Sequence, residues 1–466
     1  SGEAKEGDWE MKRFKRYEWY KDSGVEWIGK IPLHWEQVRM KFLCKVNPSK
    51  SDLKVPRNTK VTFLPMENIG EDGTLNLNEE RELTDVWDGF TYFKDDDVII
   101  AKITPCFENG KGALCRNLIN GLGFGTTELH VLRAKNQVVP GFIWYVTKSH
   151  GFRVMGEAMM QGAAGQKRVP KDFIENFVVC VPTPVEQQAI VNFLDQKTAE
   201  IDSLIADKEK LIELLQEQRQ AIITQAVTKG LDPNVPMKDS RLKWWGVVPE
   251  HWKYLRMDAV TDYHKCNIRV SELMGKTVFH YSIPVIEEIG DGKYEEGEEI
   301  NSDKVLLNGN EILVSKLNPQ KSRIVLVEPK DVPIVCSTEF VPLIPKQVNR
   351  KYFWYLYQSE VVKQRICSSV QSATNSHQRA NLSDIIKIWF YLPEKEEQQA
   401  IASYLDKKTA EIDSLVTTIK KQMAFLKEYR QSLITAAVTG KIDVRDYYSY
   451  SIRSEQMEGE EQEEVS

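Results

Sequence analysis

Apolar residues recur at alternating three- and four-residue steps in two long stretches of this chain. In the first, Ile190, Leu194, Ile201, Leu204, Leu211, Leu215 and Ile222 keep the rhythm, with Lys197, Lys208 and Gln218 filling the intervening positions. In the second, Ile401, Leu405, Ile412, Leu415, Ile419, Leu426 and Leu433 do the same. A period near 3.5 residues held for about five heptads predicts two coiled-coil helices with these residues as their seam. No Pro or Gly interrupts 185–229 or 394–439. Pro182 and Pro184 precede the first helix and Gly230 follows it, while Pro393 and Gly440 bracket the second, the usual punctuation of helix ends. At a rise of ~1.5 Å per residue each is a rod of roughly 60–65 Å. A domain of ordinary size cannot cover such a rod, so each seam is expected to bury against the other helix.

Elsewhere the pattern shortens. Runs at 97–103 (DVIIAKI), 177–181 (FVVCV), 311–316 (EILVSK) and 323–327 (RIVLV) predict strands. Turn signals separate them at Glu71-Asp72-Gly73, Asn109-Gly110 and Asn308-Gly309. One aromatic helix is expected from 141 (GFIWYVTKSHGF) and another from 351 (KYFWYLYQSEVVKQR). With no regular βαβ alternation, this mixture reads as α+β.

The chain also contains itself twice. Residues 21–40, KDSGVEWIGKIPLHWEQVRM, return at 238–257 as KDSRLKWWGVVPEHWKYLRM. Residues 186–204, EQQAIVNFLDQKTAEIDSL, return at 397–415 with 15 of 19 positions identical. A repeat of this length is a whole domain-plus-helix module, far longer than a solenoid unit of roughly 20–50 residues. The expected order is a tag or upstream remnant at 1–10, a first domain at 11–184, and its helix at 185–229. A linker at 230–237, a second domain at 238–393, a second helix at 394–440 and a terminal segment at 441–466 follow. The short linker requires the second helix to run back antiparallel. The fold class is therefore α+β: two globular domains separated by two long antiparallel coiled-coil helices, with a pseudo-twofold internal repeat. The tryptophans of the shared lead-ins (Trp27, Trp35, Trp244, Trp245 and Trp252) are read as packing each domain onto its helix.

The formal net charge is −6, but it sits at the ends. The last thirteen residues, SEQMEGEEQEEVS, hold six Glu and no base, the composition of a disordered solubilising tail. Without them and the acidic first ten residues the body is mildly basic, which permits nucleic-acid binding. Seven cysteines, scattered singly, suit neither a disulfide framework nor a zinc site. No apolar run approaches the ~20 residues of a membrane span, so a cytoplasmic protein is expected.

Catalytic motifs are missing. There is no GxxxxGK[ST] phosphate loop, no [DN]PP[YF] tetrapeptide of amino-methyltransferases, and no HxxxH or HExxH set. The glycines of 121–125 (GLGFG) have the wrong spacing for a dinucleotide fingerprint and read as a turn. Asp95, Asp96 and Asp97 form an acidic run that reads as a solvated turn; a nuclease built on it is a minor alternative. A coiled-coil scaffold presenting two protein-binding domains is the principal one.

The lead-in KDSGVEWIGKIPLHW, the EQQAI…LD…T.EID.L helix and the endings QAVTKGLD (225–232) and AAVTGKID (436–443) closely resemble the DNA-specificity subunit of type I restriction–modification systems. The likeness covers roughly 11–445 and appears in both copies. It implies two target-recognition domains, each reading one half of a bipartite asymmetric site in double-stranded DNA, with the helices setting the spacer. It implies no catalysis by this chain and no cofactor in it. Two modification subunits would bring S-adenosylmethionine, restriction subunits acting as translocase and endonuclease would use ATP and magnesium, and no membrane is involved.

Within that frame, a strand in each copy delivers a lysine to a turn: Lys102 in AKITP and Lys316 in SKLNP, with Lys111 and Arg323 shortly after. A second matched stretch precedes each helix, 162–168 (GAAGQKR) and 373–379 (ATNSHQR), offering Gln166, Lys167, Arg168, Gln378 and Arg379. These are the candidate DNA contacts, because Arg and Lys meet phosphate or guanine and Gln meets adenine. The glycines of GAAG are absent from ATNS, so the two loops need not work alike. Shared residues on the helices and lead-ins suit the docking of a common partner.

Overall fold

The computed structural model describes residues 14–447 apart from 52, 164, 264 and 371–377. The expected remnant at 1–10, the acidic tail beyond 447 and most of 373–379 lie outside the described residues. The chain divides into two units, residues 1–208 with 421–466 and residues 209–420. Each unit holds one domain together with one part of each long helix. Those helices are Pro184–Lys229 and Lys395–Val438. Their ends follow from local chemistry. Pro184 is the first residue of one, where a missing N–H costs nothing. Gly440, just past the other, has φ +67°, and a Cβ there would lie 2.3 Å from Pro32 Cδ, so only glycine closes that turn.

The first unit is built on two four-stranded sheets. One runs Glu80–Glu82, Lys60–Leu64, Leu122–Gly125, Thr91–Lys94, with a parallel pair at its centre. The other runs Cys44–Val46, Leu129–Ala134, Asp97–Ala101, Gly112–Leu114 and is antiparallel throughout. Asp97–Ala101 is buried at every position, as its unbroken apolar run suggests. The aromatic helix Pro140–Lys148 packs its buried Phe142, Ile143 and Tyr145 into one core with Ile190, Phe193, Leu194, Leu433 and Ile434 of the long helices.

The second unit repeats the plan, with one sheet larger by a strand. Its five strands are ordered Cys266–Ile268, Lys304–Leu307, Ile334–Cys336, Thr277–Tyr281, Lys293–Glu296. The four-stranded sheet runs Thr261–Tyr263, Phe340–Pro345, Ile312–Ser315, Ile324–Leu326. The helix Arg350–Gln358 joins Ile223, Val227, Ile401 and Leu405 in the core.

Within each unit the helix segments pair through a seam that differs from the expected one at three positions. Ile190, Leu194, Ile201 and Leu433 are buried in the first unit, and Ile401, Leu405, Ile412 and Ile419 in the second. Leu215, Ile222 and Leu426 are partly covered. Leu204, Leu211 and Leu415 instead face outward at 44, 45 and 53% exposure, and their neighbours Ile205, Ile212 and Val416 take the inner positions. Each site is a pair of adjacent apolar residues, and the drift between a 3.6-residue turn and a 3.5-residue repeat decides which one points inward.

An ion pair marks each half of the seam. In the first unit Arg430 donates Nε and Nη2 to the two carboxylate oxygens of Asp202, at 2.9 and 3.0 Å, and Lys208 reaches Gln422 at 2.8 Å. Partner numbers fall as the helix number rises, so the segments are antiparallel. In the second unit Arg219 Nε donates to Asp413 at 3.1 Å. Asp413 and Arg430 are the repeat counterparts of Asp202 and Arg219. The duplication thus makes one pair twice, with the helices exchanging roles.

Candidate nucleic-acid interface

In the first unit, Leu129 lies opposite Ala101 in the antiparallel ladder. The next step places Glu128 opposite Lys102, whose N–H donates to the Glu128 carbonyl at 2.9 Å. On its other side, the Lys102 carbonyl accepts from Val169 N at 2.8 Å. Lys102 is therefore clamped between a strand end and the loop 161–169. That loop closes on itself through paired backbone bonds between Gln161 and Arg168. Arg168 donates Nε and Nη2 to the two oxygens of Glu128, both at 2.9 Å, and Nη1 to the Gln166 carbonyl at 3.3 Å. The Arg168 hydrogen bonds hold Glu128 below the usual carboxylate range. Beneath the loop, His130 bonds the Val169 carbonyl and the Asn47 side chain, and burial pushes its imidazole down from 6.5. Gln166 and Lys167 stand exposed at the tip.

The second unit builds the same cluster from a different sequence. Phe340 lies opposite Ser315, and Lys316 N–H donates to the Glu339 carbonyl at 2.8 Å. The Lys316 carbonyl accepts from Ala380 N at 2.9 Å. Arg379 bridges Leu317 through its backbone and donates Nη2 to Glu339 Oε1 at 3.0 Å. Gln378 is held by Asn318 on both its backbone groups, at 2.7 and 3.1 Å. Lys102 and Lys316 are half-buried, and neither ammonium makes a hydrogen bond among the described residues.

Lys111 and Arg323 stand differently. Lys111 turns to the Met66 carbonyl at 3.1 Å. Arg323 is 8% exposed, its guanidinium committed to Glu287 and to the Leu317 carbonyl. Both brace loops, which leaves Lys102, Gln166, Lys167, Arg168, Lys316, Gln378 and Arg379 as the groups gathered at the two surfaces. The acidic run is not a solvated turn throughout: Asp97 is buried, paired with Arg133 at 2.6–2.7 Å and capping Lys94 N–H. Asp95 accepts from Leu118 N–H.

The shared motifs form a joint between domain and helix. Glu186, in the first helical turn and 3% exposed, accepts from Tyr17 OH at 2.6 Å, His34 Nε2 at 2.9 Å and Trp35 Nε1 at 3.1 Å. Burial, then the Glu186 carboxylate, pushes the Tyr17 hydroxyl well above its ordinary value, so it stays a donor. Glu397 receives His251 at 2.8 Å and Trp252 at 3.2 Å in the second unit. Gln187 and Gln398, next in each motif, accept the free N–H groups of Val139 and Asn349 before each aromatic helix. Asp195 and Thr198 meet Tyr145, as Asp406 and Thr409 meet Tyr355. Sequence reading missed Glu128, Glu339, Glu186 and Glu397. For the last two a signal existed, since an EQQ turn and an HW pair are duplicated together.

Residues 249–423 match the family model of the type I restriction modification DNA specificity domain. The chain is 34% identical over 252 residues to the type I restriction enzyme EcoAI specificity subunit of Escherichia coli, covering 53% of this chain and 41% of that protein. The EcoEI specificity subunit of the same species is 32% identical over the same shares. The chain thus spans less than half the length of these two relatives. A third, the putative type I restriction enzyme MjaX specificity subunit of Methanocaldococcus jannaschii, is 22% identical over 90% of this chain and 96% of its own. Among solved structures, a chain from work on complex assembly and conformational transition of the type I R-M system aligns with TM-score 0.66 and 16% identity over 88% of this chain and 98% of that one. That likeness concerns the fold alone.

Proposed function

We infer from its kinship with type I restriction enzyme specificity subunits that the chain is the sequence-specific DNA-binding subunit of such an enzyme. Each unit reads one half of a bipartite, asymmetric site in double-stranded DNA. The observation that carries this reading is the recurrence of one cluster, Lys102–Glu128–Arg168 and Lys316–Glu339–Arg379, at matching strand ends of two domains that otherwise diverge. Flexible lysines meet phosphate, a fixed guanidinium presents a fork to guanine or phosphate, and glutamines meet adenine. Two unlike surfaces cannot read a palindrome.

The helices set the spacer and dock two modification subunits. Leu204 and Leu415 favour the docking role: they are the same residue of the duplicated motif and both stand exposed, as a surface serving a common partner requires. S-adenosylmethionine, ATP and magnesium chemistry belongs to the modification and restriction subunits, and the assembly works in the cytoplasm.

The test is DNA binding and methylation by the chain assembled with its modification subunits, against duplexes of random sequence and across a salt series. A specificity subunit gives one preferred site, bound roughly 10³-fold or more over random DNA, with affinity falling linearly in log salt. A scaffold presenting two protein-binding domains gives no sequence preference and no salt-dependent DNA term.

A further inference from the structure

The glutamates that face the two readout arginines have no place in a simple phosphate-binding surface, where they would oppose the ligand. Yet both copies keep one at the same topological point. In the first unit the Glu128 carboxylate takes Nε and one Nη2 hydrogen of Arg168, and the Gln166 carbonyl takes one from Nη1. A guanidinium has five N–H groups in a rigid plane. Two therefore remain, one on each terminal nitrogen, with no partner among the described residues. In the second unit Arg379 is 63% exposed and bound by one oxygen of Glu339, which is itself 23% exposed. The other, Oε2, is buried with no partner among the described residues.

We propose that Glu128 and Glu339 are positioning residues that hold Arg168 and Arg379 in the orientation from which each reads its own DNA half-site. The inference rests on the DNA-specificity reading above. Fixing the plane before binding removes the rotamer freedom a long side chain otherwise loses on contact. It also makes the paired hydrogens a geometric filter, because a bidentate match to one base edge is lost on another. The carboxylate offsets the arginine's attraction to random phosphate, so the pair favours discrimination over bulk affinity. Arg168, held by two carboxylate oxygens, is the more tightly fixed of the two.

The experiment uses the full chain assembled with its modification subunits and a duplex library randomised at both half-sites. Glu128→Gln, which removes the charge and turns one acceptor into a donor, is expected to relax discrimination about tenfold at one half-site only. Glu339→Gln is expected to relax the other half-site by the same order or less. Affinity for random DNA is expected to rise about two- to threefold, because the carboxylate no longer opposes phosphate. Arg168→Lys, which keeps charge and loses the fork, is expected to relax the same half-site as Glu128→Gln, and it serves if that variant folds poorly. Unchanged half-sites, relaxation at both from one substitution, or a fall in random-DNA affinity on either Glu→Gln change would overturn the proposal. A wild-type complex with no sequence preference would instead defeat the underlying reading.

Discussion

Replacing Glu186 by Ala tests the joint between domain and helix. In the wild type its buried carboxylate receives Tyr17, His34 and Trp35. Tyr17 and Trp35 are 5 and 0% exposed, so water cannot replace the lost acceptor for either. The His34 side chain is 43% exposed and resolvates. A buried donor left without a partner costs about 1–3 kcal/mol, which places Glu186→Ala at about 2–6 kcal/mol. The duplicate joint offers an internal control. Glu397 serves one buried donor, Trp252, and one exposed one, His251, so Glu397→Ala should cost only about 1–3 kcal/mol. Hydrogen exchange under native conditions reads both, because opening free energies are local. Amides of 20–40 and 186–194 should lose protection in the first variant, and those of 237–257 and 397–405 in the second. A Glu397→Ala effect equal to or above that of Glu186→Ala would refute the argument from orphaned donors.

Three further outcomes follow from the same structure. His130 and His280 are both pushed below 6.5 by burial, so unfolding takes up protons near neutrality. Stability is complete above about pH 6.5 and is lost as pH falls through it toward the folded values; thermal midpoints from pH 8 to 5 should drop, and His130→Asn should flatten part of the slope. Charging the exposed leucines, Leu204→Glu with Leu415→Glu, should leave the thermal midpoint within a few degrees while weakening assembly with modification subunits at least tenfold in sedimentation or light scattering. Deleting 208–214 and 418–424 removes one heptad from each helix and spares both Asp–Arg pairs; at ~1.5 Å per residue the spacer should shorten by about three base pairs, and mapping of methylated sites should show both half-sites unchanged.

The frame of this fold was legible because it is periodic and duplicated. Helix ends at Pro184 and Gly440 follow from punctuation, and buried Trp35 and Trp252 from their place in a shared motif. The seam was legible except where Leu204–Ile205, Leu211–Ile212 and Leu415–Val416 offer two adjacent candidates, since pattern alone does not set helix phase to one residue. The sheets were harder. Nothing local tells Lys60–Leu64 to lie parallel to Leu122–Gly125 while the other pairings in that sheet are antiparallel. Lys102 and Arg168 were visible as residue types, but the glutamate between them lies 40 residues from the arginine in sequence, and only strand register brings it there. Arg323 looked like a contact because sequence does not reveal burial beside Glu287.

The most direct test of the central claim is a map of methylated adenines in DNA from a host that expresses this chain with its modification subunits. Two unlike reading surfaces on one frame predict a single asymmetric motif in two parts, with a spacer of fixed length, and exchange of residues 258–388 for those of a relative should change one part only. A palindromic or continuous motif, methylation without sequence preference, or a change in both parts after the exchange would contradict it.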